Sequence, residues 1–303
     1  METLNAVLLL IEKDCYMASI DLQDAYYSIN IDDSFRKFLR FYWNSTLYEF
    51  TCLPNGLSCA PRIFTKILKP IYENLRQKGL ISVYYLDDSW LMGNSFEECS
   101  NNASETSQLL SRAGFIINET KSVITPSQHI NFLGFCLNSI KMNITLPQEK
   151  RDNVSQLCDE ISSLKFFKIR FLAKFIGVLV SCLPAVKHGE LYYRYLEQNC
   201  NNALKKSKGN FDGITSLNVL AWNEVNWWKG CIHKVENDIV IPPPELFITT
   251  DASLLGWGAV YEGKSSGGQW NEEESLLHIN ALELTAIFFG LKSFVSDIYS
   301  RHI

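Results

Sequence analysis

Two short apolar runs, 81–86 and 89–92, meet at Asp87-Asp88, and no other stretch limits the fold as much. Both runs are rich in β-branched and aromatic residues and too short for helices, so an antiparallel hairpin with the two carboxylates at its tip is expected. The run 16–22 reads as another strand, with Asp21 near its end. If these strands are neighbours in one sheet, three carboxylates converge on one spot and repel each other unless cations sit there. The competing reading of Asp87-Asp88 alone is a polar turn.

The surrounding pattern is that of a mixed fold. Residues 1–13 suggest a short helix, and 38–43 and 46–51 a hairpin around Asn44-Ser45. After the turn Pro54-Asn55-Gly56, Ser58 is placed to cap a helix whose apolar positions Phe64, Ile67, Leu68, Ile71 and Leu75 recur at helical spacing up to Gly79. A helix over 96–113, a strand at 115–118 and a hairpin over 131–140 complete an α+β unit with an antiparallel sheet. From Pro147, three helical segments run to Lys206, broken near 165–168 and at Pro184, and a fourth covers 216–228 with Gly230 as its stop. Ile241-Pro242-Pro243-Pro244 reads as a stiff connector. Beyond it lie strands at 246–251 and 256–261 and, after Gly267-Gly268, a helix over 280–295.

Composition excludes several classes. Hydrophobic residues are 47% and charged residues 20%, which is ordinary globular chemistry. No apolar stretch approaches the ~20 residues of a membrane span, and the start lacks the basic and small-residue signals of a secretory leader. No membrane partner is therefore expected. Nine cysteines without a Cys-x-x-Cys or a paired histidine spacing argue for reduced thiols in an intracellular protein of cytoplasm or nucleus, and against zinc. The net charge is -5, yet residues 141–208 carry twelve Lys and Arg against six Asp and Glu. That middle stretch is the candidate nucleic-acid surface, unless its lysines are simply solvated helix faces.

Motif order sharpens the reading. Tyr84-Tyr85-Leu86-Asp87-Asp88 resembles the Tyr-x-Asp-Asp motif of reverse transcriptases, and the segment from Ile20 to Tyr27, Ile-Asp-Leu-Gln-Asp-Ala-Tyr-Tyr, resembles their first palm motif. Leu53-Pro54-Asn55-Gly56-Leu57-Ser58 resembles the motif between those two. Gly114-Phe115 with Lys121, then Asn131-Phe132-Leu133-Gly134-Phe135, are similar to the two that follow. Wording such as Leu53 to Arg62 and Leu191 to Glu197 looks most like retrotransposons of the DIRS type, relatives of gypsy-like elements.

The resemblance implies an RNA-directed DNA polymerase, a nucleotidyltransferase using two Mg2+ ions, with Mn2+ as a substitute. Its metal ligands would be Asp21 and Asp87, with Asp88 supporting and the Leu22 carbonyl contributing. Its partners would be an RNA or DNA template with primer and deoxynucleoside triphosphates; oligomeric state is left open. Tyr26 matches the steric gate that excludes a 2′ hydroxyl, or is a core aromatic. Asn55 and Gly56 would approach the nucleotide, though the family often has Gln or Phe at Asn55, and an ordinary turn is the alternative. Lys121 would protonate the leaving pyrophosphate, or is a plain surface lysine. Phe132, Leu133 and Gly134 would grip the primer, or the hairpin packs its aromatics in the core.

Thr250-Asp251-Ala252-Ser253, Gly256-Trp257-Gly258-Ala259-Val260 and Glu283 resemble the start of a ribonuclease H domain, which implies a second metal pair on Asp251 and Glu283. Alone, Glu283 reads as a solvated helix residue. The expected organisation is a palm with partial fingers over 1–145, a helical thumb or connection over 146–240, and an incomplete ribonuclease H-like α/β domain over 241–303. Fingers before Met1 and a third Asp strand after Ile303 are expected from the family, so the chain reads as a fragment of a longer product. A non-enzymatic alternative stays open: a degenerate or domesticated remnant acting as a nucleic-acid-binding module.

Overall fold

Side chains along the strand Tyr16–Gln23 alternate between two apolar clusters, so the strand must be covered on both faces. Ala18, Ile20 and Leu22 enter a cluster with Phe64, Leu68 and Leu91, whereas Met17 enters another with Trp90 and Met92. In the computed structural model, which describes residues 2–240 and 244–298, this strand lies inside a five-stranded antiparallel sheet. On one side it pairs with Asp88–Gly93, which pairs in turn with Ile81–Tyr85 at the sheet edge; on the other it pairs with Ile116–Ile117 and Val123–Ser127. The fold class is α+β.

The first face is closed by helices Ala60–Gln77 and Phe96–Arg112, through Phe64, Leu68, Tyr72 and Leu75 on one and Cys99, Ala103 and Leu110 on the other. Ser95 caps the second of these by accepting from the Glu98 amide, and Glu98 accepts from the Asn94 amide in return. On the opposite face, Met17, Trp90 and Met92 share a core with Phe135 and Leu137 of a four-stranded sheet and with Leu157, Phe175 and Trp228 of the helices that follow. That sheet runs Glu236–Asp238, Asn143–Thr145, Phe135–Asn138, His129–Phe132. One continuous core therefore spans both sides of residue 145.

Helices Gln148–Ser163, Ile169–Val180, Arg194–Lys206 and Val219–Cys231 make up the rest of this unit. Buried Glu224 joins two of them by accepting from the Tyr195 and Leu196 amides at 3.0 and 2.8 Å, which satisfies the first turn of Arg194–Lys206. Burial raises its pKa despite those bonds.

By contacts the chain divides into two units, Met1–Ile239 and Val240–Ile303. The second is a three-stranded antiparallel sheet, Thr249–Ala252, Gly256–Tyr261 and Lys264–Gln269, with helix Ile279–Ser293 packed on it. Gly290 permits that approach: a Cβ there would lie 3.0 Å from both the Ala259 Cβ and the Thr250 Cγ2. Of the expected connector, Ile241, Pro242 and Pro243 lie outside the described residues.

Several local expectations are corrected. The cap of Ala60–Gln77 is Cys59, with no side-chain bond, because Ser58 falls one residue early. Gly230 lies inside its helix, which runs on to Cys231. The strand Lys264–Gln269, which carries Gly267-Gly268 with Gly268 against the Trp257 indole, was not expected. The strands Val123–Ser127, Asn143–Thr145 and Glu236–Asp238 are short or irregular in hydropathy and were not expected.

Asn102 ties a helix to the base of the Asp87-Asp88 hairpin, donating to the carbonyls of Ile81 and Met92 at 2.8 and 3.0 Å. Asn102→Ala leaves both buried carbonyls without that donor, and a loss of roughly 1–3 kcal/mol is expected. Urea unfolding should show a lower midpoint with an unchanged slope.

Candidate active site

Two backbone interactions assemble the acidic edge. Asp21 lies opposite Asp88 in the antiparallel register, and the Leu22 amide donates to the Asp87 carbonyl at 2.9 Å. Because side chains alternate, Asp21 and Asp88 share the face that carries Met17, Trp90 and Met92, beyond the point where that cluster stops. Asp21 is further fixed by its amide donating to the Ser122 Oγ at 3.0 Å and its carbonyl accepting from the Asn118 amide at 2.8 Å. Asp87 itself is exposed.

The hairpin differs in one respect from the sequence expectation. Its two turn residues are Leu86 and Asp87, closed by the pair Tyr85 and Asp88, so Asp88 is the first residue of a strand and not part of the tip. Leu86 has φ +55°, a left-handed conformation that costs a leucine free energy and persists only where surrounding contacts enforce it.

Burial, and then the charges of Asp87 and Asp21, push the Asp88 carboxyl up to about 6 from 3.8, while Lys121 works in the opposite direction. Lys121 is exposed and acts on the edge through its charge. Among the described residues no three His, Cys, Asp or Glu side chains form a ready-made metal cage. The acidic edge is instead open, with oxygen donors only. Such an edge suits a hard cation that keeps water ligands and completes its shell with substrate phosphates.

Beside the edge lies a cleft of roughly 300 Å³ lined by Asp24, Ala25, Tyr26, Tyr27, Asn55, Leu86 and Asp87. Tyr26 stands edge-on to Phe64 at 5.2 Å, and Phe64 stands edge-on to Phe115, so the ring is braced from the core. Burial, with the charge of Asp87 second, raises the Tyr26 pKa and keeps its hydroxyl protonated. Asn55 Nδ2 donates to the Tyr27 hydroxyl at 3.2 Å, which ties the Pro54-Asn55-Gly56 turn to the segment after Asp21. Gly56 has φ +87°, a conformation that favours glycine.

Other expected residues fall elsewhere. Phe132 and Phe135 are buried in the core, and Leu133 and Gly134, with φ +48° and +75°, form the turn between them. The Phe132 ring therefore anchors this hairpin from inside, while Gly134 of its turn and the face carrying His129 and Asn131 stay exposed. In the second unit Asp251 is on the first strand and Glu283 on the helix packed against that sheet, both exposed. Sequence reasoning missed Asp24, Tyr27 and Ser122. Asp24 has φ +51°, and Ser122 is 101 residues from the amide it accepts. The αL preference of Asp was a usable signal for the first, and nothing local marked the second.

Residues 2–137 match the family profile described as reverse transcriptase (RNA-dependent DNA polymerase). The chain is 26% identical over 270 residues to Polyprotein P3 of Commelina yellow mottle virus, covering 87% of the chain and 13% of the polyprotein. It is 22% identical over 306 residues to the enzymatic polyprotein of figwort mosaic virus, covering 95% and 42%. The transposon Tf2-3 polyprotein of Schizosaccharomyces pombe is 24% identical, covering 84% and 18%. The chain thus spans less than half the length of these relatives. Among solved structures, the foamy viral protease-reverse transcriptase in complex with an RNA/DNA hybrid aligns with 97% of the chain and 38% of its own, at a TM-score of 0.67 and 17% identity. That is a likeness of fold.

The raised Asp88 pKa fixes the sign of a pH effect. The folded state binds this proton more tightly than the unfolded chain, so its stabilising contribution is complete below about pH 4 and is lost as pH rises through about 6. In EDTA, the Tm of wild type should fall relative to Asp88→Asn between about pH 4 and about pH 7. Parallel Tm curves for the two proteins would contradict a carboxyl crowded by its neighbours.

Proposed function

We propose, from the match of residues 2–137 to the reverse transcriptase profile, that this chain carries the polymerase centre of an RNA-directed DNA polymerase encoded by a retrotransposon or a related viral element. The observation that carries the reading is the pairing of Asp21 with Asp88 beside Asp87, which itself lines the Tyr26 cleft. Its substrates would be deoxynucleoside triphosphates and a primer on an RNA or DNA template.

Asp21, Asp87 and Asp88 would hold two Mg2+ ions, with the Leu22 carbonyl as a further donor. When bound, such ions make the primer 3′ hydroxyl a better nucleophile and stabilise charge on the leaving oxygen, and Mn2+ can substitute. The chain's own groups do the rest. Tyr26, braced by Phe64, presents a ring against which a 2′ hydroxyl would clash. Asn55 and Gly56 line the nucleotide side, where the absence of a Cβ at Gly56 leaves room for a base pair. Lys121 is the cation available to protonate or screen the pyrophosphate. Leu133 and Gly134 would touch the primer backbone, with Phe132 holding their turn in place.

Residues 146–240, with their excess of Lys and Arg up to Lys208, would serve as a thumb along the duplex. Asp251 and Glu283 would supply part of a ribonuclease H metal pair in the second unit. Nine free cysteines suit a reducing intracellular compartment. Among the described residues no helix is long and apolar enough to cross a membrane. No observation favours the reading of a binding-only remnant.

Primer extension on an RNA template with Mg2+ tests the proposal. Asp87→Asn should lose several kcal/mol of transition-state stabilisation, on the order of a thousandfold in rate. Equal extension by both proteins would sink the assignment. Tyr26→Val should leave deoxynucleotide addition measurable and raise ribonucleotide incorporation on the order of tenfold or more, read by alkali cleavage of the product.

A further inference from the structure

Behind the acidic edge, on the opposite face of the sheet, the buried hydroxyls of Tyr72 and Ser89 share a hydrogen bond. Ser89 directly follows Asp88 and pairs with Ile20 on one side and Tyr84 on the other. By alternation its side chain shares a face with Ile20, Leu22 and Leu91, all of which belong to an apolar cluster. Tyr72 belongs to that cluster too, stacked on Tyr84 with centroids 4.4 Å apart and planes 9° from parallel. The one strand step that separates Asp88 from Ser89 thus separates the acidic end of one face from the apolar cluster on the other.

We infer that Tyr72 and Ser89 are a positioning pair that pins the register of the Asp87-Asp88 hairpin, a role that rests on the polymerase reading above. A slip of one residue in this pairing would turn Asp88 into the apolar cluster and leave the Tyr72 hydroxyl buried without its partner. Either loss opposes the slip, so the pin works through chemistry on the face away from substrate. Tyr72 is in turn held from the sheet edge. Arg76, one helical turn on, lies over the Tyr84 ring at 5.6 Å and donates to the Ser82 carbonyl at 2.8 Å. Glu2 accepts from Arg76 at 2.7 Å and from the Tyr84 amide at 3.0 Å. The helix bearing Tyr72 starts at Ala60, four residues after Gly56, so the same rigid element connects the nucleotide-side turn with the metal-side hairpin.

Tyr72→Phe and Ser89→Ala each delete one hydroxyl, and the double variant deletes the pair. Amide hydrogen exchange gives a readout independent of activity. Each single variant should exchange about tenfold faster at residues 88–90, with helix Gln148–Ser163 unchanged. In single-turnover extension each should lose about tenfold in rate, with the apparent affinity for the incoming nucleotide within about twofold of wild type. The double variant should be no worse than the weaker single, because the two groups act as one. Unchanged exchange at the hairpin, exchange raised uniformly through the unit, or additive losses in the double variant would each overturn the pin. If wild type extends no primer, the polymerase reading fails, and the hairpin exchange still decides whether the pin exists.

Discussion

Pairing Asp21 with Asp88 across two antiparallel strands sets like charges a strand spacing apart, and the backbone has to hold them against their repulsion. The holding is distributed. Asp21 is fixed through both its amide and its carbonyl, the Leu22 amide reaches the Asp87 carbonyl, and Asn102 binds the base of the hairpin. None of these bonds uses a carboxylate oxygen. The acidic groups are left with free lone pairs, which is what a cation-binding edge requires and what a purely structural turn would avoid.

The apolar alternation around that pairing was readable from the sequence because it follows two simple periods. Residues 16–22 alternate across a sheet, and Phe64, Leu68 and Leu75 repeat along a helix, so strand and helix follow from local pattern, whereas the nearness of the aspartates hung on the two strands being neighbours. The connections to Ser122 and Asn118 were not readable. They depend on how a loop about a hundred residues away folds back, and no local preference encodes that distance. The same limit explains Phe132. Primer contact and core packing were both open for it, and its side chain faces the core, since which side of a hairpin is covered depends on packing partners such as the helices after Pro147. The strand Lys264–Gln269 was not readable for a different reason: its Gly267-Gly268 pair lacks the side chains that mark a strand, and Gly268 instead makes room for the Trp257 indole within the sheet.

The helices beyond residue 145 do not form a detachable layer. Leu157, Phe175 and Trp228 share one core with Trp90 and Met92, whose strand begins at Asp88. The basic helical segment and the acidic edge are therefore mechanically joined through packed side chains. A core substitution among those helices bears on the strand that begins with Asp88, through Trp90 two residues on.

At the outer rim of the sheet, the strand Ile81–Tyr85 has no further strand beside it among the described residues, and a carboxylate and a guanidinium take up the Tyr84 amide and the Ser82 carbonyl. Backbone groups left free on a sheet rim are a template for another chain to add to. Glu2 and Arg76 thus occupy, with side-chain atoms, backbone positions of Ile81–Tyr85 that a neighbouring strand would otherwise take.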